Sequence, residues 1–282
     1  MHGGHDSVIH EGHGGHDFAT AVLLVIPILL LGLYAWGLAL HGVRKRPWSR
    51  WRTLAFLAGL AMVAVALLPP IAPLAHHDLR VHMLQHLLLG MLGPVGLVLG
   101  MPVTLALRTL PARAGRTLVA VLRSGPVHVI AHPVTALILN IGGMAVLYAT
   151  PLYAAMLESP ALHVIIHVHF LAAGCLFSWT IVGSDPAGVQ KPHGYRLAVL
   201  FVAIALHATL AKAMYAYQLP QGAHHTAREI EQAAQIMYYG GDLSEMLLAV
   251  ALFAMWPAAA EALGKSSTAR RSMRRITPEC LP

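Results

Sequence analysis

Charge is what this 282-residue chain has least of. Asp, Glu, Lys and Arg make up 11% of it, against 57% hydrophobic residues, whereas soluble domains carry about 25% charged residues. The shortage excludes a water-soluble globular domain and predicts an all-α integral membrane protein built as one helical bundle. Cysteine is equally scarce. Of the two present, Cys175 lies inside a hydrophobic run and Cys280 near the C-terminus, and no CxxC or CxxxC pair exists. A disulfide framework and a thiolate clamp are thereby excluded, so soft-metal chemistry falls to His and Met. No repeat of useful period is visible. Acidic residues number 12 against 19 Lys and Arg, a net charge of +7. Such an excess could suit nucleic acid, but its placement argues against that.

What the chain has in quantity is long apolar runs and 19 histidines. Seven runs approach the ~20 residues that cross a bilayer: 18–41, 54–74, 81–101, 133–157, 161–183, 196–218 and 234–257. Gly93-Pro94 is expected to kink the third, and Gly96 and Gly100 give it a GxxxG spacing suited to close helix packing. The stretch 102–131 carries Arg108, Arg113, Arg116 and Arg123 among Leu and Val, the pattern of an amphipathic helix on the membrane surface. The first run is expected not to be a cleaved signal peptide, because it lacks a basic leading segment and arginines follow it. Sixteen of the nineteen Lys and Arg fall after spans one, three, five and seven. Positive charge marks the cytoplasmic side, so the N-terminus is expected outside and the C-terminus inside. The basicity then reflects topology and contact with anionic lipid. Residues 1–17 are expected to be a disordered His-rich tail outside the membrane, 18–258 the seven-helix domain, and 259–282 a basic cytoplasmic tail.

Two histidine pairs stand out. His82/His86 and His163/His167 are spaced i, i+4, which puts each pair on one helix face. Both spans are expected to run inward from the same side, so the four imidazoles share a depth near the outer surface. Ionisable side chains inside a bilayer are costly and mark function. Four imidazoles at one depth outline a metal site. Asp242 in the last span is expected as its charge partner, and Lys212 either pairs with Asp242 or snorkels outward. Glu245 lies one turn deeper. His169 points off the 163/167 face and suits packing or a supporting contact. His207, Met83 and Met237 belong to the same outer half as further candidate ligands, although Met also fills irregular cores. His128 and His132 form a third pair at the other end, with a structural or interfacial role. In the tail, His2, His5, His10, His13 and His16 stand among Gly and acidic residues. Tracts of that kind bind metal, and the tail is read as a loose collector of ions.

The stretches HMLQHLLLGMLGPVGLVLGMPVTLALRTLP (82–111), TPLYAAMLESPALHVIIHVHFLAAGCLFSWTIVGSDP (150–186) and GDLSEMLLAVALFAMW (241–256) resemble the CtaG-type cytochrome c oxidase assembly factors, the Caa3_CtaG family. The resemblance covers about residues 20–260. It implies a seven-span protein of the bacterial plasma membrane that helps mature the copper centre of a haem–copper oxidase. Its HMxQH pattern falls on His82, Met83, Gln85 and His86, its HxxxHxHF on His163, His167, His169 and Phe170, its acidic residue on Asp242, and its span-six His-Ala on His207 and Ala208. Copper is then the expected ion, with zinc as the other candidate, and the expected partners are the metal ion, an oxidase subunit and the bilayer. A homodimer is left open. Three other readings fit the residues alone. In a membrane b-type cytochrome, facing histidines ligate haem. An intramembrane zinc hydrolase uses three ligands and an activated water. A metal transporter would need polar groups continuing through the inner leaflet, where Asn140 is the main one.

Overall fold

The computed structural model describes residues 7–43, 47–183, 191–222 and 225–275, with side chains over 22–42, 47–183, 191–222 and 225–254. Secondary structure among the described residues is entirely helical. The helices are α1 Ser7–Val43, α2 Arg50–Leu67, α3 Ile71–Leu74, α4 Leu79–Leu87, α5 Gly93–Leu99, α6 Pro102–Thr109 and α7 Ala112–Leu122. They continue as α8 Gly125–Ile130, α9 Pro133–Leu137, α10 Gly143–Ala149, α11 Leu152–Glu158, α12 Pro160–Val182, α13 His193–Tyr217 and α14 Ala227–Arg275. Helix α1 begins at Ser7 and so takes in most of the segment expected as a tail.

Six helical runs are long and apolar enough to cross a membrane: Val22–Gly42, Arg50–Leu67, Leu79–Thr109, Pro160–Val182, His193–Tyr217 and Ala227–Ala254. A bent pair, Pro133–Ala149 with Leu152–Glu158, makes a seventh if it counts as one span. The fourth run is therefore not the unbroken helix expected over 133–157 but turns by 80°. The cause is Pro151. Its ring clashes with the preceding residue in the helical conformation, and Thr150 sits at φ −126°, ψ 170°. The second run stops at Leu67 rather than 74, before Pro69-Pro70, and resumes as the single turn α3. The third continues past 101 into α6 through Met101, whose backbone is left-handed. The expected amphipathic helix 102–131 becomes α6, α7 and α8, divided at Pro111 and Gly125-Pro126. Of these only α6 buries residues, while α7 lies on the surface with none buried.

Two π-helical turns, Leu88–Leu92 and Ile138–Gly142, interrupt the third and fourth runs. The first coincides with Pro94, which has no N–H to give the carbonyl four residues back. Turns of this kind often sit at functional sites, and this one directly follows His86. The expected GxxxG packing is present. A Cβ on Gly96 would come within 2.7 Å of Gly59 Cα, so α2 and α5 cross backbone against backbone. The core falls into two clusters. One joins α4 to α9–α14 around Met83, Tyr148, Tyr153 and Met237. The other joins α1, α2, α5 and α6 around Tyr34, Phe56 and Leu105.

Candidate metal centre

Helix caps set the helices that carry the histidines. Asp78 caps α4 by accepting from the Arg80 backbone N–H at 2.8 Å. Its carboxylate also receives the Arg80 guanidinium, whose other end donates to Gln232 Oε1 at 3.1 Å and so ties α4 to α14. The Arg80 hydrogen bonds hold the Asp78 carboxyl below its usual range. Ser159 caps α12 by accepting from Leu162 at 3.3 Å, with Pro160 at the first helical position, where its missing N–H is harmless. Thr226 and Glu229 form a reciprocal capping box at the start of α14.

Three of the expected ligands meet. His82, His86 and His167 line one small cavity of about 10 Å³ together with Leu89, Ile166 and Phe170, room for about one water. All three are buried. The His82 and His167 rings stand edge-on, 6.4 Å apart between centres. A metal about 2.0–2.1 Å from each ring nitrogen lies about 3.2 Å from each ring centre, so rings sharing an ion can be no more than about 6.4 Å apart. The pair stands at that limit, which is reached only with the ion on the line between the two ring centres, so a third ligand requires the rings to close by about 1 Å.

Each imidazole has a different set of neighbours. His167 Nδ1 lies 2.8 Å from the His163 carbonyl and its Nε2 lies 3.2 Å from Gln85 Oε1. Gln85 Nε2 donates to the Ala66 carbonyl at 2.9 Å, which fixes Oε1 toward the ring. A neutral imidazole has one N–H, so it can donate to only one of these two oxygens. The lone pair of the other nitrogen then faces an acceptor, an arrangement that a cation relieves. This is the outer support usual for a ligating histidine, with the second nitrogen held by a backbone carbonyl. His82 Nε2 pairs with the Tyr148 hydroxyl at 3.3 Å. His86 packs against Phe170 and Tyr148, and neither of its nitrogens has a hydrogen-bond partner. Buried polar atoms left this way call for an explanation such as an ion or water.

The remaining expected residues are distributed around this cavity. His163 stacks on His167 at 4.1 Å between ring centres and does not line the cavity. His207 is fully buried, with Nδ1 3.9 Å from Glu245 Oε1. Gly241 makes room for it, since a Cβ there would land on the ring. Glu245 is only 2% exposed and Asp242 is half-buried, outside the cavity lining. Lys212 rests over the Tyr238 ring at 5.4 Å, and among the described ion pairs none joins it to Asp242. His169 bonds the Leu139 carbonyl at 3.1 Å, a helix-packing contact against the second π-turn. Met83 and Met237 are fully buried in the core cluster, off the cavity. His132 caps α9. His2 and His5 lie outside the described residues, as do the side chains of His10, His13 and His16. Among the described residues no group of three or more His, Cys, Asp or Glu side chains is placed to hold a metal ion as it stands.

Two histidines not singled out in the sequence adjoin the site. His76, in the loop before α4, stacks on His163 at 4.6 Å. His225 Nε2 lies 3.4 Å from the Tyr153 hydroxyl, and its Nδ1 lies 3.8 Å from Glu229. Both stand in or beside loops, where helical spacing gives no signal. Stacking and shared walls thus join His76, His163, His167, His82 and His86 from the bundle end toward mid-span.

Comparison with known proteins assigns the family. Residues 32–259 match the family described as cytochrome c oxidase caa3 assembly factor (Caa3_CtaG). An uncharacterized protein of Mycobacterium bovis and one of Mycobacterium tuberculosis are each 34% identical over 203 residues, 70% of this chain and 31% of theirs. An uncharacterized protein of Mycobacterium leprae is 33% identical over 168 residues, 57% of this chain and 26% of its own. The chain thus spans less than a third of the length of these curated relatives. No solved structure matches. With the matched region covering the helical runs and every histidine of the cavity, the chain belongs to the cytochrome c oxidase caa3 assembly factor family, Caa3_CtaG.

Proposed function

We propose that this chain is a copper-binding assembly factor of the bacterial plasma membrane, which holds copper for delivery to the copper centre of a haem–copper oxidase. The observation that carries the reading is the cavity ringed by His82, His86 and His167, with His86 unpartnered and His167 set between two acceptor oxygens, the His163 carbonyl and Gln85 Oε1. Imidazole suits copper and zinc, and the buried, largely apolar surround favours the lower charge of Cu(I). The cavity of about 10 Å³ is far smaller than the roughly 300 Å³ or more that encloses a sizeable ligand, which argues against haem between these rings.

Copper is the cargo, and the chain's own groups receive it. The His163 carbonyl fixes the tautomer of His167, and Gln85 swings aside or adds its oxygen. The Tyr148 hydroxyl yields the His82 nitrogen. His76 and His163 lead in from the bundle end that faces outward in the proposed orientation, where the His-rich tail would gather ions. Asp242 on α14 supplies negative charge for an incoming cation, and the Glu245 carboxyl one turn away adjoins His207. Seven spans, with the N-terminus outside and the C-terminus cytoplasmic, complete the arrangement.

Elemental analysis of the purified chain with its absorption spectrum tests the reading. About one copper per chain and no Soret band is the expected result. Zinc in place of copper, or a Soret band, would overturn it.

A further inference from the structure

At the bundle end opposite the histidine cluster, a large apolar groove of about 770 Å³ runs between α1, α2, α5, α6 and α12. Its walls include Tyr34, Phe56, Leu105, Thr109, Leu171 and Cys175. The volume falls in the range of roughly 300–1,000 Å³ that encloses a ligand. Both wall hydroxyls are committed to backbone carbonyls. Tyr34 donates to Gly100 at 3.1 Å and Thr109 to Leu105 at 2.9 Å. The walls accordingly offer hydrocarbon contact.

The polar groups of this region gather at one end of the groove. Trp48 packs against the Tyr34, Phe56 and Leu105 cluster that forms the wall. The Arg52 guanidinium lies 5.2 Å from the centre of its ring and the Arg108 guanidinium 5.7 Å. Arg108 precedes the wall residue Thr109, and Arg52 packs by its backbone beside Gly100. His41 meets the Trp48 ring edge-on at 5.4 Å. It is 2% exposed, and neither ring nitrogen has a hydrogen-bond partner. Two positive charges and a buried imidazole, next to an apolar groove, are complementary to a molecule with an anionic head and hydrocarbon chains.

We propose that this groove binds one anionic diacyl phospholipid, its phosphate at Arg52, Arg108 and His41 and its acyl chains between α1, α6 and α12. Basic pockets between membrane helices bind anionic headgroups on the same physical grounds. The site is independent of the metal cavity, which lies on α4 and α12 nearer the other end.

The test is native mass spectrometry of the full chain, purified in mild detergent, delipidated, and offered equimolar phosphatidylglycerol and phosphatidylcholine with identical acyl chains. Each arginine is worth about 5-fold in binding an anionic head, so the pair gives about 30-fold preference for phosphatidylglycerol. The double variant Arg52→Gln, Arg108→Gln is expected to lose most of that preference. The Arg52→Lys, Arg108→Lys variant is expected to keep most of it, because charge is retained. Inorganic phosphate at the same concentration is expected not to displace the lipid. Equal binding of the two lipids by the unaltered chain would overturn the proposal without any variant. So would an undiminished preference in the Gln variant, or phosphate alone competing as well as the lipid does.

Discussion

Replacing Gly174 by alanine tests whether helix packing positions the metal cavity. Gly174 lies seven residues beyond His167, two turns along the same face of α12. A Cβ there would land on the Gly90 carbonyl oxygen and come within 2.9 Å of Pro94 Cγ. The obstacle is backbone, so no side-chain rotation relieves it, and the helices must part by about 1 Å or more. Overpacking costs about 1–3 kcal/mol, and a clash with backbone belongs at the upper end, about 3 kcal/mol. At roughly 2–4 °C per kcal/mol for a domain of this size, the melting temperature should fall by about 6–12 °C. The parting also pulls α12 from the run that holds Gln85 and His86, breaking the 3.2 Å contact between Gln85 and His167. Metal retention should fall with stability. Gly115→Ala is the control. Nothing lies within 4 Å of a Cβ there, and a solvent-facing helix gains about 1 kcal/mol from alanine. The assay is thermal unfolding in detergent with metal content on the same samples. A Gly174→Ala protein that melts within 2 °C of the unaltered chain and holds the same metal would refute the packing argument.

Further outcomes follow from the cavity. Tyr148→Phe removes the hydroxyl that occupies His82 Nε2 at 3.3 Å; a metal no longer has to displace a bond worth about 1 kcal/mol, so copper affinity in a competition titration should rise about fivefold. Acid should release copper, because only neutral imidazole binds. The Asp78–Arg80 pair gives an internal check. Asp78 titrates below its usual range in the folded chain, so its stabilising contribution is intact above about pH 3.9 and is lost only as pH falls through the lowered value. Fluorescence and elemental analysis on one acid titration follow fold and copper together, and copper that stays bound after the fold is lost would count against a folded-state site.

Much of the architecture was legible because bilayer length and helical period leave strong marks. The i, i+4 pairs put His82, His86 and His167 within reach of one cavity, and GxxxG spacing anticipated the close crossing at Gly59 and Gly96. Hydropathy ran unbroken through Thr150-Pro151, and so concealed the 80° turn that Pro151 imposes. Neither π-turn leaves a periodic trace, since each costs one residue of register in an otherwise apolar run. His76 and His225 were not legible, because their contacts are made from loops by tertiary packing alone. Depth suggested Asp242 as the acidic partner, but depth says nothing of rotation about the helix axis, and it is Glu245 that turns toward His207.

The central claim is that imidazoles from α4 and α12 hold one copper ion in the bundle. X-ray absorption at the copper edge of the loaded chain measures this directly. The expected spectrum shows nitrogen neighbours at about 2.0 Å with imidazole outer-shell scattering, and the His86→Ala, His167→Ala variant should retain little copper and lose that scattering. A variant holding the full copper complement with an unchanged spectrum would contradict the account.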